Sequence, residues 1–110
     1  MSESCCIVTT TIDNAKIAST LAKGVLAKHL AACAQIIPGV TSHYEWQGQL
    51  EASQELLLQF KTTEKCARKL MEYIKKAHTY DTPEITMIRI GEIDSDYEKW
   101  LKMAVVLDIS

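Results

Sequence analysis

Glycine and proline are scarce in this chain of 110 residues, four and two respectively, which excludes a collagen-like, low-complexity or linker-rich organisation. Charge of one sign is lacking as well. Twelve basic and fourteen acidic residues leave a net charge of −2, with the lysines spread along the sequence instead of forming a block, so neither nucleic acid nor an anionic membrane is an expected partner. No long hydrophobic run occurs. Met1-Ser2-Glu3-Ser4 carries an acid and no base, and the apolar stretch behind it is broken at once by Thr9-Thr10-Thr11, which fits neither an export signal nor a membrane span. Catalytic signatures are missing too. Gly24, Gly39, Gly48 and Gly91 stand too far apart to cradle a phosphate, and there is no Gly-x-Ser-x-Gly elbow, His-Glu-x-x-His helix or Cys-x-x-Cys pair. The expectation is a protein that is not an enzyme.

What is present is the balance of a soluble globular domain: 47% apolar and 24% charged residues in a length that suits one core, so residues 1–110 are read as a single domain. Cys5, Cys6, Cys33 and Cys66 are read as reduced thiols in a cytoplasmic protein. Cys5 to Thr11 is short, β-branched and predicted to be a central strand. Asp13 then caps a helix over Ala15 to Leu30, whose Ile17, Leu21, Ala22, Val25 and Leu26 recur at helical spacing. Ala34 to Trp46 and Leu50 to Lys61 flank Gln47-Gly48 as two long strands around a tight turn, with Pro38-Gly39 at a bulge. In the second arm Leu56, Leu57, Leu58 and Phe60 mark a buried part, and Glu51, Ser53, Gln54 and Glu55 an exposed one.

A second helix opens at Thr62-Thr63-Glu64 and ends near Ala77, a fourth strand covers Glu84 to Ile90, and Ser95 with Glu98 forms the capping box of a short third helix. The apolar stretch from Val105 to Ile109 is read as a strand or a packing segment. This order predicts an α+β fold, a ferredoxin-like βαββαβ sandwich with an added C-terminal helix. An arm of thirteen residues, Ala34 to Trp46, extends about 40 Å, more than a domain of this size with a diameter of about 35 Å can hold. The hairpin must therefore project. Its Val40, Tyr44, Trp46 and Leu50 then need cover, which predicts a homo-oligomer closed by strand pairing between subunits.

Three histidines are available. His29 and Cys33 stand four apart at the end of the first helix, a spacing open either to metal ligation or to a simple helix terminus, and His43 sits on the projecting hairpin. His78-Thr79-Tyr80-Asp81-Thr82-Pro83-Glu84 is denser in chemistry: an imidazole, a phenol and two carboxylates on one loop, stiffened by Pro83.

Cys33-Ala-Gln-Ile-Ile-Pro-Gly-Val-Thr-Ser-His-Tyr-Glu-Trp-Gln-Gly48, followed by Glu51, Glu55, Phe60-Lys61-Thr62, the 78–84 loop, Tyr97 and Trp100-Leu101, resembles the divalent cation tolerance family, CutA, over about Ile7 to Leu101. The resemblance implies a ferredoxin-like protomer joined by its hairpins into a stable homotrimer, a non-catalytic role in tolerance of divalent metals, copper above all, and a cytoplasmic location. It also implies a kinship with the PII signalling trimers. Copper-binding bacterial relatives use a Cys and a His-His pair; the matching positions here are Thr9, Ala77 and His78, so one of three ligands is kept. A single imidazole holds Cu²⁺ or another divalent cation only weakly. His78, Glu84 and Cys33 are accordingly the candidate metal residues, with Cys33, Tyr80 and Glu84 open to being shared across subunits. The alternative is a PII-like signalling or scaffold trimer that binds a small anion or a partner protein in a cleft formed by Lys61, Tyr80 and Trp46. Trp46, Tyr80, Pro83 and Trp100 also suit a subunit interface.

Overall fold

The computed structural model describes residues 4–105. Strand β1 (Cys5–Ile12) runs through the middle of the sheet, because its Cys6, Val8, Thr10 and Ile12 are wholly buried on one face. Helix α1 (Ala15–Ala27), strand β2 (Cys33–Trp46), strand β3 (Gln49–Thr63), helix α2 (Glu64–Ala77), strand β4 (Ile85–Arg89) and helix α3 (Ser95–Ala104) follow. The strands are ordered β2-β3-β1-β4 and every neighbouring pair is antiparallel. This is the expected α+β, ferredoxin-like arrangement with its extra C-terminal helix.

The core lies between the sheet and two helices. Val8 and Ile12 of β1 and Leu58 and Phe60 of β3 meet Ala18, Leu21 and Val25 of α1 and Ala67, Leu70 and Ile74 of α2. A smaller cluster joins Cys5, Cys66, Leu101 and Val105 where α3 closes one end of the sheet. The expectation for Val105 to Ile109 falls mostly outside the described residues; Val105 itself is buried.

Helix boundaries move by a few residues from the sequence reading, each for a local reason. The cap of α1 is Asn14 and not Asp13: its Oδ1 accepts from the Ile17 amide at 2.9 Å. The same helix stops at Ala27 and not Leu30, because His29 takes a positive φ of 57°. The amides of His29 and Leu30 then donate to the carbonyls of Leu26 and Val25 at 3.0 and 3.1 Å, a Schellman closure built on a histidine instead of glycine. His29 and Cys33 therefore do not share a helix face. The cap of α3 is Asp94, whose carboxylate accepts from the amides of Asp96 and Tyr97. Ser95 is the first helical residue and Glu98 pairs with Lys102 at 3.0 Å, so the expected Ser95–Glu98 capping box is replaced by a simple Asp94 cap.

The hairpin projects as the length argument requires. Pairing with β1 ends at Ile12 opposite Leu56, while β2 and β3 continue together from Val40 opposite Glu55 to Trp46 opposite Gln49. Those seven pairs reach about 23 Å beyond the sheet. They stretch the chain to 47 × 29 × 21 Å with a radius of gyration of 14.9 Å, above the roughly 13 Å of a compact chain this long. Gln47 and Gly48 both adopt positive φ, 51° and 78°, the two-residue turn whose twist matches the strands it joins. Between Ile37 and Val40 the register shifts at Pro38-Gly39, and Gly39 takes a φ of 82° that only glycine adopts freely.

Candidate functional site

The register fixes which side chains face together. Leu57 lies opposite Thr11, and alternation along β3 puts Glu55, Ser53 and Glu51 on that same face. Their partners on β2 are Val40, Ser42 and Tyr44. The loop from α2 to β4 crosses in front of this face and closes a cleft of about 860 Å³, lined by Thr11, Asp13, Ser42, His43, Tyr44, Trp46, Glu51, Ser53, Glu55, Tyr80, Asp81, Thr82 and Glu84. Five of these residues are carboxylates, and none of the described lining residues is Lys or Arg.

His78 locks the loop in place. Its Nδ1 accepts from the Tyr80 amide at 3.1 Å, which leaves Nε2 to donate to the Thr11 carbonyl at 2.8 Å. Both ring nitrogens are thus committed to the backbone. The His78 and Tyr80 rings lie 4.6 Å apart, tilted by 56°, and this sets the direction of the phenol. Tyr80 Oη donates to Glu55 Oε2 at 2.7 Å. Burial holds the phenol well above its ordinary pKa, with the bond to Glu55 and the charges of Glu55 and Asp13 acting in the same sense. Glu55 is only 8% exposed, against the expectation that it marks a solvated stretch of the strand. Its side chain lies under the loop, and the phenol takes the place of water.

The sequence-derived candidates separate into three places. Trp46, Tyr80 and Glu84 line the cleft. His78 anchors the loop behind it. Cys33 is opposite Lys61, which is itself opposite Ile7, so it sits about 13 Å along the strand from Thr11 and two strand spacings across. Cys33, His78 and Glu84 do not converge within the chain, and among the described residues no three His, Cys, Asp or Glu side chains are grouped to hold a metal ion. Lys61 is also remote from Tyr80 and Trp46: its Nζ lies 5.7 Å over the Tyr97 ring, and Tyr97 stacks on Trp100 at 5.5 Å. Pro83 faces a different groove, between α2 and β4.

The remaining thiols belong to the core. Cys5, Cys6 and Cys66 are buried, and burial first, then the neighbouring Glu64 and thiols, pushes Cys6 up to about 11. Asp13, Glu51 and Glu55 were not singled out as site residues. The one available signal was parity: Glu55 shares its strand face with Leu57.

Fold and cleft together define a ferredoxin-like domain with a projecting hairpin and an acidic recess. The family model described as CutA1 divalent ion tolerance protein matches residues 6–104. The chain belongs to that family. It is 43% identical over 96 residues to the divalent-cation tolerance protein CutA of Thermus thermophilus, covering 87% of this chain and 93% of the relative. To the Escherichia coli protein of the same name it is 40% identical over 99 residues, covering 90% and 88%. The structure of CutA1 from Oryza sativa superposes with a TM-score of 0.93 at 33% identity over 97% of this chain and 98% of that one. The Thermus thermophilus structure gives 0.88 at 40% identity, over 93% and 99%.

Proposed function

We propose that this chain is a non-catalytic, cytoplasmic, homotrimeric protein that binds divalent cations in the acidic cleft between hairpin and loop. The observation that carries the reading is the lining itself: five carboxylates with no basic residue among the described lining positions. Such a recess concentrates cations. The cations are held loosely, because no three ligands converge among the described residues and oxygen donors suit hydrated, hard ions better than copper. Glu84 faces the ion, and His78 acts by positioning the loop, since both its nitrogens are taken. Tighter capture of copper needs a soft donor from a second protomer, for which Cys33 is the candidate, with Tyr80 and Glu84 as oxygen donors shared across the trimer.

The trimer reading is supported by what the protomer exposes. Trp46 is 60% and Leu50 88% exposed on the hairpin, and Ile37, Ile88 and Trp100 add apolar surface elsewhere, more than a lone protomer ordinarily leaves uncovered. The absence of a disulfide among the described cysteines suits a reducing compartment. The alternative PII-like role, an anion in a cleft with Lys61, is disfavoured by the distance of Lys61 from the cleft and by the acidic lining.

Native mass spectrometry with and without a slight excess of Cu²⁺, Zn²⁺ or Mn²⁺ tests the reading. A trimer that gains ions in multiples of three, and gains fewer after Glu51→Gln/Glu84→Gln, is the expected result. A trimer that takes up none of the three ions removes the cation from the proposal, and a monomer removes the shared site.

A further inference from the structure

The carboxylates of the cleft are strung out instead of gathered. Glu55 and Glu51 share one face of β3, four residues apart, which is about 13 Å along the strand. Asp13 approaches from the β1–α1 turn, and Asp81 and Glu84 from the α2–β4 loop. Since no three of these groups surround one point among the described residues, a single ion cannot draw on them together. An extended ligand that carries several positive charges can. The recess of about 860 Å³ is within the size range of small-molecule sites.

Two further observations bear on the ligand. Glu55 is buried yet lines the cleft. Its Oε2 accepts from the Tyr80 phenol, while its Oε1 has no protein partner and no Lys, Arg or His among the described residues pairs with it. A buried carboxylate without a counter-charge is unfavourable, and a cation entering the cleft relieves it. The second observation is the aromatic wall. Tyr44 stands opposite Glu51, Trp46 follows on the same face, and Tyr80 lies over Glu55. Besides burial and the bond to Glu55, the charges of Asp13 and Tyr44 raise the Tyr80 pKa, so the turn, the hairpin and the loop present these groups close to one another. Aromatic faces attract alkylammonium groups and pack against methylene chains, whereas a hydrated metal ion is bound through oxygen donors and gains little from them.

We propose that the cleft takes a linear aliphatic polyamine lying along β3, with one ammonium group at Glu55 Oε1, another at Glu51, and its methylene chain against Tyr44 and Tyr80. This rests on the reading that the recess binds cations, and it names the class of organic cation that its length and lining fit. Each ammonium group brings several N–H donors to carboxylates that otherwise lack them. His78 takes part only by holding the loop, because both its ring nitrogens are bound to the backbone.

Isothermal titration calorimetry of the full chain with spermidine, a linear triamine, tests the proposal, beside putrescine as the diamine, butylamine as the monoamine, and Mn²⁺ in the same buffer. Spermidine is expected to bind, putrescine more weakly, and butylamine not measurably. Glu51→Gln should weaken spermidine about tenfold and Tyr44→Leu several-fold. Glu45→Gln removes the same charge from the other face of the hairpin and should leave the affinity unchanged. Spermidine bound in this pattern without Mn²⁺ supports the inference and restricts the cleft to organic cations. Mn²⁺ bound without spermidine overturns it and leaves the divalent-cation reading standing, while binding of neither removes both. Spermidine held no more tightly than butylamine, or equally by Glu51→Gln and the unsubstituted chain, overturns it as well. The comparison of amines uses the unsubstituted chain and does not depend on a variant folding.

Discussion

Replacing Tyr80 by Phe removes one oxygen atom and isolates the chemistry that holds the loop over the hairpin. The phenol donates to a carboxylate at 2.7 Å, within the short range of charge-assisted bonds, and Glu55 is 8% exposed, so water does not easily take over. A hydrogen bond to a charged group contributes about 1.5–3 kcal/mol, and the burial of Glu55 puts the expected loss in the upper half of that range. Guanidinium unfolding at fixed protein concentration measures it, the concentration being held so that any self-association contributes equally to both variants. The pH dependence gives an independent reading. Because the folded-state pKa of Tyr80 is raised, the folded state keeps its proton where the unfolded state, with a pKa near 10, has lost it. The contribution is therefore whole below pH 10 and declines as pH rises above it, and the unsubstituted protein must lose stability more steeply there than Tyr80→Phe. A cost below about 0.5 kcal/mol at neutral pH, or identical alkaline slopes, would refute the reasoning.

Other outcomes follow from separate parts of the fold. A Cβ at Gly24 would sit 2.2 Å from Tyr73 Oη, so Gly24→Ala should destabilise, and Gly24→Ala/Tyr73→Phe should recover about 1 kcal/mol from helix propensity; equal thermal midpoints for the two variants would count against this. Asp94→Ala should cost about 1 kcal/mol through loss of the α3 cap while Ser95→Ala stays near neutral, and the reverse order in chemical denaturation would restore the capping box to Ser95. Thiol labelling at pH 8 should leave Cys5, Cys6 and Cys66 unmodified until denaturant is added, since all three are buried and Cys6 is pushed up to about 11; modification of any of them in the native protein contradicts the packing described. Phe60→Ala should cost about 3–5 kcal/mol as a cavity between sheet and helices, read from the shift of the unfolding midpoint.

Much of the architecture was legible because it rests on short-range signals. The stripe of α2, the stop near Ala77, the bulge at Pro38-Gly39 and the turn at Gln47-Gly48 are each announced within a few residues. Helix ends were less legible for an equally local reason. Asp13 and Asn14, or Asp94 and Ser95, are adjacent residues that both cap well, and only the backbone angle decides between them. His29 at a positive φ ends α1 without the glycine that normally advertises such a stop. The cleft was the hardest part. Tyr80 and Glu55 are 25 residues apart, and Asp13, Glu51 and Glu84 reach the same recess from the β1–α1 turn, strand β3 and the α2–β4 loop. The motif at 78–84 pointed to the right loop, yet its histidine serves the backbone and its tyrosine reaches the other wall.

The bulge at Pro38-Gly39 acts as a phase shifter. Before it, odd-numbered residues of β2 (Cys33, Gln35, Ile37) share a face with Lys61, Gln59 and Leu57; after it, even-numbered ones (Val40, Ser42, Tyr44, Trp46) share that face with Glu55, Ser53, Glu51 and Gln49. One inserted residue inverts the parity of the whole outer arm. Were the bulge flattened with every residue kept, so that Gly39 came opposite Glu55, Thr41, His43 and Glu45 would turn toward the carboxylates and both aromatic rings would turn away. The chemistry of the recess is therefore set from a distance, by counting.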